Sequence, residues 1–313
     1  MQAQFIPKTS FQSLIFRPNI VFKMHLKIDH GDPASASSFD NIFVPTTLPR
    51  VSFDFSPFQA ILLDLDGTIY HEDHCLPGAL ELVQKLQREN RSFACLTNST
   101  TSPHRLAARL ARMNMNIPPD HIYTAAAAAA DYIIEKYPPR PRLFNLATEG
   151  LEEMLLDRVD WIQNASERCN AIIAGAPANV FATEERQRMA LALLRGGADL
   201  IGVCADRVYP SPRGIEFGSG AFCAFLSYAA NVTPFFCGKP QPVFFHNLCH
   251  KLNVRPQDCL LIGDNLESDI AGGKREGMKT ILTLTGVTTG AQAQNLTSDR
   301  RPDFVVDDLR GLL

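Results

Sequence analysis

The stretch AILLDLDGTIYHEDH, Ala60 to His74, runs four apolar residues straight into two aspartates, Asp64 and Asp66, separated by one leucine. An apolar run without in–out alternation reads as a strand buried on both faces, as in a parallel sheet covered by helices. Carboxylates that close repel each other and raise one another's pKa unless a cation lies between them. At i and i+2 of an extended segment, Asp64 and Asp66 are expected to point to the same side. Gly67-Thr68 then reads as a turn that leads the chain away and leaves room beyond the strand.

The same grammar recurs outward from this stretch. PGALELVQKLQREN carries apolar residues at helical spacing and is followed by a second strand, SFACLTN (92–98). Ser102-Pro103 reads as a cap and first-turn proline opening the helix PHRLAARLARMN. The alanine run Ala125–Ala130 reads as the start of a helix continuing through DYIIEKY, because alanine has the best helix propensity. Towards the C-terminus come TPFFCGK, a helix from Pro242 to Leu252, DCLLIGD, a helix through Gly277 and KTILTLTG. Between the halves, RLFNLA, AIIAGA and DLIGVCA alternate with GLEEMLLDRV and TEERQRMALALLRGG. The expected fold is α/β: a doubly wound parallel-sheet core with an inserted α/β cap. The expected boundaries are an extension over 1–54, a core over 55–137 and 234–313, and a cap over 138–233.

Ligands of open parallel α/β sheets bind beyond the carboxyl ends of the strands. The polar residues there are Asp64 and Asp66, Thr97 and Asn98, Lys239, and Asp264. Close carboxylates suit a hard divalent ion such as Mg²⁺, which takes oxygen ligands from few carboxylates together with substrate phosphate and water. Lys239 and Thr97 offer charge and hydrogen bonds where negative charge builds up. These parts suit phosphoryl transfer, with one aspartate as nucleophile and the other as general acid and base.

DLDGT (64–68), LTNS (96–99), CGKPQP (237–242) and IGDNLESD (262–269) resemble the four ordered motifs of the haloacid dehalogenase superfamily. The wider pattern resembles its NagD-like, p-nitrophenylphosphatase-like branch, over roughly residues 58 to 313. That branch carries a large α/β cap between the second and third motifs. The resemblance implies a Mg²⁺-dependent phosphatase working through an aspartyl-phosphate. Asp64 would be nucleophile and metal ligand; Asp66 would be acid and base, with its backbone carbonyl on the metal. Thr97, Asn98 and Lys239 would bind the phosphoryl group, Asp264 would complete the metal site, and Asp269 would support Lys239 or metal-bound water. GSGAF (218–222) is similar to the branch's late-cap glycine turn, whereas CADRVYPSPRGIEF departs from the family pattern and leaves the leaving group open. Expected substrates are small phosphorylated metabolites: nucleoside monophosphates, sugar phosphates or phosphoglycolate-like acids. Transfer to an acceptor alcohol, or phosphometabolite binding with weak catalysis, are the alternatives.

A net charge of -3 argues against a generic nucleic-acid or polybasic membrane surface. No apolar stretch approaches the roughly 20 residues a membrane helix needs. Eight scattered cysteines without a C-x-x-C pair read as free thiols in a reducing, cytoplasmic setting rather than a disulfide framework. A calcium loop starting at Asp64 would need glycine at Ile69 and glutamate at Cys75, so that reading fails. His246 and His250 have zinc-like i, i+4 spacing, but Asn247 stands where the HExxH glutamate would be, and they read as surface or packing residues. His71, His74, Arg207 and Arg213 are candidates for substrate contact. A homo-oligomer formed through the cap is a further expectation from the branch.

Overall fold

The computed structural model describes residues 53–177, 182–211, 213–294, 296–297 and 300–313. In chain order the first part comprises β1 (Ala60–Asp64), the hairpin β2 (Tyr70–His71) and β3 (His74–Cys75), and α1 (Ala79–Arg88). β4 (Phe93–Thr97), α2 (Pro103–Arg112), β5 (Ile122–Thr124) and α3 (Ala125–Lys136) follow. The middle comprises β6 (Arg142–Leu146), α4 (Glu149–Met154), β7 (Asp160–Trp161), β8 (Ala171–Ala174), α5 (Glu184–Arg195) and β9 (Asp199–Gly202). It continues with the hairpin β10 (Val208–Ser211) and β11 (Gly214–Phe217), α6 (Ser219–Ala230) and β12 (Phe235–Phe236). The last part comprises α7 (Pro242–Leu252), β13 (Cys259–Gly263), α8 (Ala271–Arg275), β14 (Lys279–Thr283), α9 (Gly290–Gln294) and β15 (Phe304–Val306).

Two all-parallel sheets result. The core sheet has the order β15-β14-β13-β1-β4-β5, and the cap sheet the order β12-β9-β8-β6-β7. All five residues of β1 are buried. Its alternate side chains serve two different layers: Ile61 and Leu63 join α1 and α2 on one face, while Ala60 and Leu62 join α3 and α7 on the other. That second layer runs on without a break into Leu143, Ala171, Ile173 and Ile201 of the cap sheet. The opposite face of the cap sheet, with Phe144, Ile172 and Leu200, is covered by α5 and α6.

Local sequence explains the helices. α1 buries Ala79, Leu82, Val83 and Leu86, the i, i+3, i+4, i+7 stripe of an amphipathic helix. Truncating either fully buried leucine to alanine costs about 2–5 kcal/mol. Ser102 caps α2 by accepting from Arg105 N, and Pro103 occupies its first turn. Thr124 caps α3 in the same way from Ala127 N. The alanines of α3 lie in the layer shared by core and cap, where small side chains let the helix approach its neighbours closely.

One sequence expectation is corrected. TPFFCGK reads from sequence as part of the core, but Phe235 and Phe236 pair with Ile201 and Gly202 as the edge strand of the cap sheet. Glycine at 202 permits this, since a Cβ there would strike the Phe236 ring and Cys223 Sγ. The cap sheet therefore extends past residue 234, and the chain re-enters the core at Lys239. The extension 1–54 falls almost wholly outside the described residues, but Phe53 packs its ring 5.4 Å from that of Phe304. No described helix is long and apolar enough to cross a membrane, and all eight cysteines are free thiols.

Candidate active site

The core loop after β4 meets the cap loops after β6 and β9 at the carboxyl ends of the two sheets. Thr148 Oγ1 of the cap donates to Thr100 O of the core at 2.8 Å. Arg105 of α2 bonds Glu149 and Glu153 of α4 across the same seam.

Lys239 is the centre of the site. It is buried, and its Nζ donates to Asp64 Oδ1 at 2.5 Å and to Asp269 Oδ1 at 2.6 Å. Carboxylate oxygens of Asp64, Asp264 and Asp269 lie within 4.8 Å of one another. Burial pushes the Asp64 carboxyl up to about 7, Lys239 opposing and Asp264 reinforcing that shift. Burial and Asp269 push Asp264 up to about 6, and burial, with a contribution from Asp64, does the same to Asp269. Burial alone would lower the Lys239 ammonium, but Asp269 and Asp64 outweigh it and hold it above its ordinary value. Three buried carboxylates thus face one ammonium, an all-oxygen donor set with surplus negative charge. That set fits a hard divalent cation such as Mg²⁺, which would be held by Asp64 and Asp264 with help from neighbouring oxygens. Among the described residues it is the one group of acidic, histidine or cysteine side chains close enough to hold a metal ion.

Backbone geometry makes room for these carboxylates. A π-helical turn, Leu266–Ile270, swings Asp269 back under β13, where its Oδ2 accepts from Asn265 N at 3.2 Å. Asp264 Oδ2 accepts from Val287 N at 2.7 Å. Three glycines line the cradle. A Cβ at Gly67 would lie 2.6 Å from Asp264 Oδ2, one at Gly263 2.6 Å from the Asp269 Cβ, and one at Gly286 2.8 Å from the Asp264 Cβ. Gly67 also has φ +86, a conformation glycine adopts without penalty, and its carbonyl accepts from Thr285 Oγ1 at 2.6 Å.

Other expected residues are placed differently. Asp64 and Asp66 do not present their carboxylates side by side. The strand ends at Asp64, and the chain then turns so that Ile69 N and Tyr70 N both donate to Leu65 O. Asp66 consequently projects toward the β2–β3 hairpin, exposed, with Oδ1 3.9 Å from His71 Nδ1. Partial desolvation by the hairpin side still raises its carboxyl, while His71 and Arg109 act against that rise. Arg109 clamps the hairpin, its guanidinium 4.8 Å over the Tyr70 ring and its Nε on Asp73. His74 pairs across the hairpin with His71.

Thr97 is buried at the end of β4, and its Oγ1 accepts from Ser99 N. Asn98 Nδ2 donates to both Asp206 oxygens at 3.1 Å and to Lys239 O at 3.0 Å. Both of its N–H groups are therefore engaged, and the main-chain N–H is the donor this residue can offer a phosphate. Asn98 Oδ1 and Thr68 Oγ1, from two of the sequence motifs, are buried without a hydrogen-bond partner. Arg213 pairs with Glu216 on the β10–β11 hairpin, and Arg207 is exposed. His246 bonds Glu276 rather than sharing a site with His250.

The sequence reading missed Thr285, Gly286 and Asp206. Gly286 carries the one signal that was legible, as the last residue of KTILTLTG at a strand's carboxyl end.

A lysine–carboxylate cluster at the strand ends of a capped parallel α/β core defines a hydrolase of the haloacid dehalogenase type. A family profile described as Haloacid dehalogenase-like hydrolase matches residues 61–158, and one described as HAD-hydrolase-like matches residues 236–312. An acid sugar phosphatase of Staphylococcus epidermidis is 31% identical over 239 residues, covering 76% of this chain and 91% of the relative. The crystal structure of a Mycobacterium tuberculosis glycerol phosphate phosphatase in complex with magnesium superposes with TM-score 0.75 at 26% identity, covering 82% of this chain and 77% of that one. A 4-nitrophenylphosphatase from Thermotoga maritima gives TM-score 0.75 at 28% identity, covering 82% and 97%. The chain belongs to the haloacid dehalogenase-like hydrolase family, and its enzyme class is phosphatase.

Proposed function

We propose that the protein is a Mg²⁺-dependent phosphatase that hydrolyses a small sugar or polyol phosphate through an aspartyl-phosphate on Asp64. The observation that carries this reading is the buried Asp64 at the end of β1, bonded to Lys239 inside a three-carboxylate cluster. The names of the staphylococcal and mycobacterial relatives support the substrate class.

A carboxylate oxygen of Asp64 attacks phosphorus as the bond to the leaving oxygen breaks, and Asp66 gives that oxygen its proton. Asp66, now ionised, takes a proton from water as the water attacks phosphorus. The acyl–phosphate P–O bond breaks, which restores Asp64 and releases inorganic phosphate. The exposed position of Asp66 beside the crevice, with a raised carboxyl, suits a group that must hold and release a proton. Lys239, Thr97 and the main-chain N–H of Asn98 hold the phosphoryl oxygens, and Asp269 fixes the Lys239 ammonium. Asp64, Asp264 and the Asp66 carbonyl would hold Mg²⁺, which would supply positive charge against the negative charge that accumulates on the phosphoryl group.

The test is a phosphate-release screen over sugar phosphates, glycerol phosphate, nucleoside monophosphates and an aryl phosphate, with and without Mg²⁺. Added alcohols distinguish hydrolysis from transfer. Asp64→Asn is expected to stay folded and lose turnover by several orders of magnitude; full activity in that variant overturns the nucleophile assignment.

We also propose that the cap is the homo-oligomer contact. No charged residue occurs from Phe217 to Gly238. β10 and β11 turn Val208, Ile215 and Phe217 to one exposed face, and Phe225 and Tyr228 lie exposed on the adjoining α6. Ile215 is 79% exposed and Tyr228 91%.

A further inference from the structure

We infer that Asp206 is a positioning residue for the phosphoryl site: the cap loop's carboxylate locks the Asn98 amide, and through it the main chain at Asn98 and Lys239. The inference deepens the phosphatase reading and rests on it. Three segments distant in sequence meet at one side chain. Asn98 follows the last residue of β4, Asp206 lies in the cap loop after β9, and Lys239 is where the chain returns to the core. Asn98 Nδ2 spans the two others, donating to Asp206 at 3.1 Å and to the Lys239 carbonyl at 3.0 Å.

The chemistry of the pairing is directional. A carboxylate offers acceptors alone, so it admits the nitrogen of the amide and rejects the oxygen. Asp206 therefore decides which way the amide faces. Without it a single bond to Lys239 O would hold the orientation, and Oδ1 already has no partner. Hydrogen bonds to an ionised acceptor are among the stronger ones in proteins.

Asp206 is itself held rigidly. Gly220 N donates to Asp206 O at 2.9 Å and Gly218 N to Arg207 O at 2.8 Å. A Cβ at Gly218 would lie 2.8 Å from the Asp206 carbonyl carbon, and one at Gly220 2.5 Å from that of Ala205. The two glycines of GSGAF are thus the seat on which this loop rests. On the other side Gly238 N donates to Val203 O at 2.7 Å, and a Cβ at Gly238 would meet both Asn98 Oδ1 and the Cys204 Cβ. The loop that carries Asp206 is fastened both to the glycine turn behind it and to the residue before Lys239. A rigid cap element therefore reaches the two main-chain positions that grip the phosphoryl group.

The test is a double-mutant cycle between Asp206→Ala and Asn98→Ala, with Asp206→Asn as the isosteric control and circular dichroism as the check on folding. Asp206→Ala is expected to lower kcat on an aryl phosphate by about 10- to 100-fold, with KM changed less than about threefold. Its effect in the Asn98→Ala background should shrink to less than about threefold, because the two residues act through one bond. Asp206→Asn keeps one accepting oxygen and should recover most of the lost kcat. Additive losses, or a loss confined to KM, overturn the inference; the latter would make Asp206 a substrate contact. The same cycle is read calorimetrically in the binding of inorganic phosphate with Mg²⁺. Lack of turnover in the wild type would overturn the phosphatase reading, while the coupling in phosphate affinity would still decide the role of Asp206.

Discussion

Replacing Gly286 by alanine adds one methyl group at the rim of the site and tests whether the glycine cradle sets the position of Asp264. The new Cβ would lie 2.8 Å from the Asp264 Cβ, against an ordinary contact of 3.4 Å or more. Because the clash is with the Asp264 Cβ, rotating the carboxylate does not relieve it; the two backbones must part by roughly 0.6 Å. The carboxylate must also turn, since the methyl would overlap its Cγ and Oδ2 more closely still. That turn breaks the 2.7 Å bond from Val287 N and leaves a buried carboxylate short of a donor, at a cost of about 1–3 kcal/mol. A misplacement approaching 1 Å in a catalytic group costs up to ~10²-fold in rate. Gly286→Ala should therefore fold, lose about 10- to 100-fold in kcat/KM on an aryl phosphate, and need more Mg²⁺ for half-maximal activity. Steady-state kinetics across a Mg²⁺ titration measures both. Unchanged Mg²⁺ half-saturation at full kcat/KM would refute the cradle argument, because Asp264 would then have room that the geometry denies it.

Lys239→Met removes the ammonium that Asp64 and Asp269 share, and is expected to cost about 3–5 kcal/mol in urea unfolding at neutral pH as well as abolishing turnover; an unchanged unfolding midpoint would contradict this. The carboxyls of Asp64, Asp264 and Asp269 are raised to about 7, 6 and 6, above the unfolded value of about 3.9. Between about pH 4 and pH 7 the folded state therefore binds more protons than the unfolded, and this cluster's contribution to stability falls as pH rises. Without Mg²⁺ the Tm contribution should be greater at pH 5 than at pH 7.5, and added Mg²⁺ should raise Tm more at pH 7.5; an equal shift at both pH values in scanning calorimetry would refute it. Phe217→Asp places a charge in the exposed apolar face of the cap and should convert an oligomer to monomer by light scattering with catalysis of the aryl phosphate retained at the per-site level. A wild-type chain that is monomeric at micromolar concentration would defeat that proposal.

Features written in consecutive residues were legible before the structure. The apolar runs of β1, β4 and β13 and the stripe of α1 report their own burial, and the crevice rule then collects Asp64, Thr97, Lys239 and Asp264 at strand ends. Features that depend on approach between distant segments were not. Nothing in TPFFCGK says that Phe235 and Phe236 will pair with β9, because a buried parallel strand looks the same in either sheet. The i, i+2 argument for Asp64 and Asp66 holds only while the chain stays extended, and Leu65–Thr68 is already turning. Asn98 reads as a phosphate donor until Asp206 and the Lys239 carbonyl are seen to occupy its nitrogen.

The place where the cap ends has a consequence for protein engineering. Gly238 makes the last ladder-like bond to the cap, and Lys239 is the next residue. A chimera that exchanges caps at residue 234 would leave the host's β12 to pair with a foreign β9, whose residue at position 202 need not clear the Phe236 ring. The exchangeable unit runs through Gly238, so any transplanted cap arrives with its own tether to the lysine, and changing substrate by cap exchange also resets how that lysine is presented.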